Sequence, residues 1–530
     1  MKDSTRILVI GGGPGGSYAA AALQREGFET TLLEAAVFPR YHIGESLLPS
    51  ARHFLRFIDA ADKVSEFGFA KKPGAAVKLN QHNREGYTDF ISLGPNNGAW
   101  NVVRSTFDQL LLEHAAECGV AVYEGIRVTD IEFDAPGGRP VSAIWQSAEK
   151  TGRIQFDWLI DASGRVGIMS TKYLRNRRFT ESLKNIAIWG YWRGAGVYAS
   201  GTDRENAPWF EALIGNTSAV LELSHSHPDE SGWAWFIPLH DGTVSVGIVQ
   251  NEARSKLKKS QLQRTDDESS SFTQAFYLNQ LSLAPGLRRL LGDACLASLI
   301  KSASDFSYSA SSYAGPGYRI VGDAGAFIDP FFSSGIHLAF GSALSAAATI
   351  AASVSGDCSE NEAANFHNAR VGMSYTRFLL VVLSIYKQIG TQNTPVLHDI
   401  SEKDFDRAFN LLRPVIQGAA DIGKLLTETE VEKTMEMCSN LFAPTGPEMH
   451  AAVARRFEPN LLDCQGPVLT PDQVSRIVGV DNDALHVINE INARKQIHTM
   501  YNPVADATLE AFDGLVIRLE RGRLGLQPAI

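Results

Sequence analysis

The chain has 530 residues, 44% of them apolar and 20% charged, with 46 Gly and 22 Pro; this is ordinary globular composition and excludes a disordered, fibrous or coiled-coil molecule. Its length implies more than one domain, at roughly 150 residues each. A net charge of -10 excludes the basic stripe of a nucleic-acid binder. Cysteines 118, 295, 358, 438 and 464 are scattered, with no Cys-x-x-Cys pair, as in a reduced intracellular compartment without a zinc site. The opening Met-Lys-Asp-Ser-Thr-Arg runs straight into an apolar strand and leaves no room for a signal peptide, so a cytoplasmic location is expected. Neither long apolar stretch reads as a membrane span: 378–385 is too short, and 335–352 carries His337 and several serines.

Residues 6–10 form a short β-branched apolar run, enough for a buried parallel strand. Gly11-Gly-Gly13-Pro14-Gly-Gly16 follows, then an Ala-rich helical stretch over 17–25 and a second apolar run over 30–33 that ends at Glu34. Each part has a task in holding a dinucleotide. Gly11 permits the tight turn, Gly13 lets a pyrophosphate approach the backbone, and Gly16 allows close helix–strand packing. The helix N-terminus faces the phosphates, and Glu34 can accept the ribose hydroxyls. This segment alone leaves FAD and NAD open.

Three further segments favour FAD. Asn101-Val-Val-Arg104 precedes a helical pattern over 107–117. Trp158-Leu-Ile-Asp161-Ala-Ser-Gly164-Arg165 is an apolar strand closing on a small-residue turn. Tyr318-Arg-Ile-Val-Gly322-Asp323-Ala-Gly325 is another, suited to hold a ribitol hydroxyl through Asp323. In this order and spacing the four segments resemble the FAD-dependent monooxygenase superfamily related to aromatic hydroxylases. No second Gly-rich strand-turn-helix offers a nicotinamide site, which leans towards reduced flavin arriving from a separate NAD(P)H-dependent reductase.

Gly232-Trp233-Ala-Trp235-Phe-Ile237-Pro238 alternates, so both indoles share one face of a strand that ends at Pro238. It resembles the WxWxIP motif of flavin-dependent halogenases. Gly68-Phe69-Ala-Lys71-Lys72-Pro-Gly74-Ala matches the phenolic branch of that family and implies Lys72 as the catalytic lysine, with Lys71 the fallback. Asp329-Pro-Phe-Phe-Ser333-Ser334-Gly335-Ile336-His337 leads into the Ala-rich helical stretch, whose first amides can bind an anion without a cationic side chain. The resemblance implies that Ser334 and Gly335 hold chloride or bromide and that Ile336 faces the flavin. Phe332 stands where tryptophan halogenases carry a glutamate, which points away from the indole branch. Pro39-Arg40-Tyr-His-Ile-Gly44-Glu45-Ser46 looks like the segment that passes over the flavin, with Arg40, Gly44, Glu45 and Arg104 near the cofactor. The likeness runs over most of residues 5–390 and is nearest to fungal halogenases of phenolic polyketides, such as those of radicicol and griseofulvin pathways. It implies that reduced FAD and dioxygen form a hydroperoxyflavin, that halide attacks it, and that hypochlorous acid crosses to Lys72 to chlorinate an electron-rich phenol.

The expected fold is α/β: a Rossmann-like FAD domain over 1–355, with an antiparallel substrate sheet from about 70–100 and 170–305. Residues 356–530 form a mainly helical region capping the substrate cavity. Helical spacing runs over 375–389, 405–426 and 474–492, and Tyr375, Phe378, Phe405, Phe409 and Phe442 are candidates to line the cavity, with core packing the commoner fate of each. Residues 256–271 read as a solvated arm and 214–228 as an insertion before the tryptophan motif. The 13 histidines offer no His-x-x-x-His pair with a supporting carboxylate, so no metal is expected. Two other readings are open to the residues: a single-component aromatic hydroxylase, and a non-catalytic flavoprotein scaffold or sensor.

Overall fold

The computed structural model describes residues 2–79, 85–91, 94–214, 229–262, 272–304, 307–390, 445, 447–463, 466–499 and 511–529. Strand Ser4–Ile10 is the spine of the first sheet. It pairs in parallel with Thr30–Leu33 on one side and Thr151–Asp161 on the other, in the register Ile10 to Leu33 and Ile10 to Asp161. The order Ala314–Gly315, Tyr318–Ile320, Thr151–Asp161, Ser4–Ile10, Thr30–Leu33, Ala121–Tyr123 brings the ends of the central strands, Ile10, Leu33, Asp161 and Ile320, to one edge. Ligands of parallel sheets bind at such an edge, outside the carboxyl ends of the strands. Ile7, Leu8, Val9, Leu159 and Ile160 are fully buried, so both faces of these strands are covered.

The second sheet has the order Cys295–Leu296, Asn185–Arg193, Thr243–Asn251, Gly232–Pro238, Trp209–Ala212, Gly74–Lys78, Gly86–Asp89. It is drawn from the two expected stretches and is antiparallel save for one pair: Trp209–Ala212 runs parallel to Gly74–Lys78. A long connection separates these two strands, so no hairpin imposes their direction. Gly232–Pro238 and Thr243–Asn251 are buried almost throughout, and the tryptophan strand is thus a central one, with Pro238 at its end.

Helix Gly335–Ser355 packs between helices Pro14–Arg25 and Glu360–Ile389. It is long and apolar enough to cross a bilayer, yet most of it is buried inside the fold, where its eleven-residue run of small side chains, 342–352, is interrupted only by Leu344 and Ile350. The 375–389 pattern is the last half of helix Glu360–Ile389, which opens on a Ser359–Glu362 capping box. The 474–492 pattern is two helices, Pro471–Val478 and Asn482–Thr499. Gly479 takes φ +58 and Asp481 caps the second through Ala484 N, which breaks the run. The C-terminal region also ends in a β-hairpin, Leu515–Arg518 with Gly525–Pro528, which returns to the helix Gly335–Ser355. Of the 256–271 arm, residues 256–261 lie in helix Glu252–Gln261. Residues 263–271, 215–228 and the 405–426 pattern lie outside the described residues, as do Phe405, Phe409 and Phe442.

Candidate active site

A cavity of about 440 Å³ opens at the edge where the parallel strands end, and it is lined by both sheets. From the first come Gly11, Gly13, Pro14 and Glu34. Gly11 takes φ +103, and a Cβ there would lie 2.3 Å from the Ala162 carbonyl oxygen. A Cβ on Gly16 would stand 1.9 Å from the Gly11 oxygen, so Gly16 serves the helix–strand contact and lines no cavity. Gly13 differs. Its φ of -68 suits any residue, and a Cβ would meet only the Arg40 guanidinium at 3.3 Å. Its hydrogen therefore leaves room on the cavity side. Helix Pro14–Arg25 starts there with Pro14 in its first turn and no side-chain cap, so its first amides are open to an anion. Glu34 lines the same cavity and is oriented by the amides of Gly12 and Ala36, at 2.6 and 2.7 Å.

The segment over the cavity is held by an arginine fork. Arg104 donates to both Asp108 carboxylate oxygens at 2.8 and 3.0 Å and to the carbonyls of Ile43 and Gly44 at 2.7 and 3.2 Å. Arg40 joins the same fully buried Asp108 at 3.0 Å. Gly44, Glu45 and Asp323 complete this part of the lining. Burial lifts the Asp323 carboxyl to about 6, against the pull of Arg104, Arg165 and Arg177. Burial likewise lifts Glu45 to about 7; it accepts the Tyr191 hydroxyl at 2.6 Å, which touches the Tyr41 hydroxyl at 3.0 Å. The glycine cradle, the open helix terminus, and Glu34 and Asp323 placed on one elongated cavity fit a flavin dinucleotide.

The second sheet supplies Trp233, Trp235 and Ile237. The two indoles lie 5.8 Å apart, on one face as the alternation requires. Trp235 donates to Ser245 Oγ at 3.1 Å, and Trp233 meets the Phe331 ring edge-on at 4.8 Å. Phe331 belongs to the loop that leads into helix Gly335–Ser355. There Ser333 holds φ +57, a conformation unusual for a residue with a Cβ, and the backbone turns so that Ser333, Gly335 and Ile336 face the cavity. Ser334 occupies the N-cap position but does not itself line the cavity; its hydroxyl is fully buried and, among the described residues, has no hydrogen-bond partner.

Lys72 is not part of the cavity lining. It ends strand Ala70–Lys72, is 1% exposed, and gives its ammonium to the Leu47 carbonyl at 2.8 Å, one residue beyond the lining residue Ser46. The Phe90 ring centroid lies 5.1 Å away. Among the described residues no carboxylate forms an ion pair with it, and burial alone lowers its pKa to about 7. Lys71, on the opposite face of the strand, is exposed. Asn101, on the strand paired with Lys72, accepts the Ser46 hydroxyl at 3.1 Å, while its own buried amide nitrogen has no partner among the described residues.

Tyr375 and Phe378 are core residues, 5% and 1% exposed, rather than parts of the large cavity's wall. Among the described residues of that helix, Tyr386 touches the lining residue Trp233 without lining the cavity itself. It stands three turns beyond Tyr375, at a spacing of eleven residues, and its hydroxyl bonds both Trp233 and Asp329. Helical spacing from Tyr375 was the available signal; the partner 153 positions away was not.

The family model described as tryptophan halogenase matches residues 6–94 and 78–431. Flavin-dependent halogenase armH1 of Armillaria mellea is 56% identical over 531 residues, 99% of this chain and 99% of its own. Sulochrin halogenase gedL of Aspergillus terreus is 45% identical, over 100% of this chain and 94% of its own. Among solved structures, the flavin-dependent halogenase CmlS superposes with a TM-score of 0.64 at 26% identity, over 86% of this chain and 78% of that one. The myxobacterial chondrochloren halogenase CndH gives 0.63 at 25%, over 84% and 98%. With a motif set, a fold and relatives that agree along the whole length, the chain belongs to the flavin-dependent halogenases, enzymes that use FAD.

Proposed function

We propose that this enzyme chlorinates or brominates an electron-rich phenol of polyketide type, ortho or para to the hydroxyl, where oxygen donates density to the ring. Reduced FAD comes from a separate reductase and, with dioxygen and halide, supplies hypohalous acid as the oxidant. The chain's own residues do the rest. The amides of Ser334 and Gly335 hold the halide at the helix terminus, and that of Ile336 faces the flavin. Trp233 and Trp235 stand between the cofactor cavity and the phenol, so that the organic substrate does not reach the flavin. Lys72 receives the oxidant, either hydrogen-bonding it as an ammonium or, at a pKa of about 7, attacking it as a neutral amine.

The observation that carries this reading is Lys72 itself: among the described residues it is buried with no carboxylate paired to it, which has a structural cost. Membership of the halogenases sets aside the scaffold and hydroxylase readings. The sulochrin halogenase relative supports a fungal small-molecule substrate.

The test is mass spectrometry of a phenolic polyketide incubated with the enzyme, FAD, NADH, a flavin reductase, dioxygen and chloride. The expected product carries the chlorine isotope pattern and forms only when the reductase is present. A product heavier by one oxygen, or bleaching of bound flavin by NADPH alone, contradicts the proposal.

A further inference from the structure

Trp233, Tyr386, Asp329 and Phe331 form a closed circuit. The Trp233 indole N–H donates to the Tyr386 hydroxyl at 2.7 Å, and that hydroxyl donates to Asp329 Oδ2 at 2.8 Å. Asp329 is fully buried; its Oδ2 also accepts Asn185 Nδ2 at 3.2 Å, and its Oδ1 accepts the Phe331 amide at 3.2 Å. The Phe331 ring returns to the Trp233 indole, 4.8 Å between centroids. The circuit ties four segments that lie far apart in sequence: the tryptophan strand, the end of helix Glu360–Ile389, the anion loop and strand Asn185–Arg193.

A phenol hydroxyl donates one hydrogen bond and accepts readily, and here both capacities are used. An indole has a single N–H, so its acceptor decides which way the ring plane is turned. Trp233 and the loop residues Pro330, Ser333 and Gly335 line the same cavity, so a turn of the indole changes the wall and the loop together. Buried polar networks of this kind specify one arrangement when every member is paired and lose it when one is removed.

We propose that Tyr386 is a positioning residue which, acting through Trp233, holds the tryptophan wall in register with the anion loop, so that oxidant made in the cavity is passed on rather than lost. Its consequence for the reaction rests on the function proposed above; the contact itself does not. Tyr386 touches neither halide nor phenol in this assignment.

The experiment compares the unsubstituted enzyme with Tyr386→Phe, Trp233→Phe and the double variant. On ligand-free protein labelled with [15N]tryptophan, the Trp233 indole signal is identified by its loss in Trp233→Phe. In Tyr386→Phe that signal should move and exchange with deuterium about tenfold faster, the effect of one hydrogen bond. With the loaded enzyme, halogenated product per reduced FAD consumed should fall about tenfold in Tyr386→Phe, with hydrogen peroxide making up the difference and FAD affinity unchanged. The double variant should be no worse than Trp233→Phe, because both changes cut the same link. Asp329→Asn keeps Trp233 and its signal while weakening the acceptor of the Tyr386 hydroxyl, and so keeps the test open if Tyr386→Phe folds poorly. An unmoved indole signal, a moved signal with unchanged coupling, or additive losses in the double variant each overturn the proposal. Failure of the proposed function is distinct: it appears as no halogenated product from the unsubstituted enzyme, while the indole signal is read without cofactor or substrate.

Discussion

Burying Lys72 destabilises the fold wherever the side chain keeps its proton. In the folded chain burial lowers its pKa to about 7, against an ordinary value of 10.5. Between those two values the unfolded chain binds more protons, so the contribution of Lys72 to stability rises with pH across that window. Below about 7 both states are protonated and the burial penalty is fully felt. Lys72→Met should therefore stabilise the fold at pH 6 by on the order of 1–3 kcal/mol, raising the melting temperature, and the gain should shrink as pH rises from 7 towards 10. Thermal melts at several pH values check this; a gain equal at every pH would mean that Lys72 is not buried as a charge. The same residue shows what was legible. Lys72 and Ser334 stand in short motifs and can be singled out as candidates from sequence. Asp329 also stands in a motif, but its bonds to Tyr386 and Asn185 span 57 and 144 positions, and no local pattern encodes them.

At the scale of elements, strand, glycine turn, helix and acid were readable because each is set by neighbours in sequence. The glycines, however, do different work, and the structure sorts them. Gly11 and Gly16 have backbone oxygens at 2.3 and 1.9 Å from where a Cβ would sit, so alanine at either must shift the first strand or helix. Gly13 has only a movable guanidinium near it. Gly16→Ala should lower the melting temperature of the FAD-free protein, by about 2 kcal/mol or more of stability. Gly13→Ala should leave the stability within about 0.5 kcal/mol of the original and weaken FAD binding at least about tenfold. Calorimetry with and without FAD separates the two, and equal behaviour of both variants would contradict the assignment of Gly13 to the pyrophosphate. Sequence was less informative where tertiary contacts decide. The 474–492 pattern hid a break at Gly479, since both halves keep an apolar face towards the small core around Val487 and Ile488. In helix Glu360–Ile389 the aromatics closest to its middle went into the core, and the one near its end touches the lining residue Trp233.

At the scale of the molecule, the parallel sheet offers a dinucleotide cavity at its carboxyl edge, and the mixed sheet closes that cavity with two indoles. The pairing of the two sheets was expected from composition runs and motifs; the one parallel strand pair was not, because no local turn fixes its direction, nor was the returning C-terminal hairpin, whose six-residue loop carries Gly522 at φ +73. Lys72 lies outside the cavity lining, next to residues 46 and 47. The central claim is accordingly a division of labour: oxidant is made in the cofactor cavity, and the phenol is halogenated at Lys72. The measurement that tests it most directly is the product and oxidant balance of Lys72→Ala, with reductase-supplied FAD, chloride and a phenolic polyketide. The account predicts that FAD binding and reduced-FAD oxidation persist, while chlorinated phenol falls at least about 100-fold. Chlorination at the original rate and position in Lys72→Ala would contradict it.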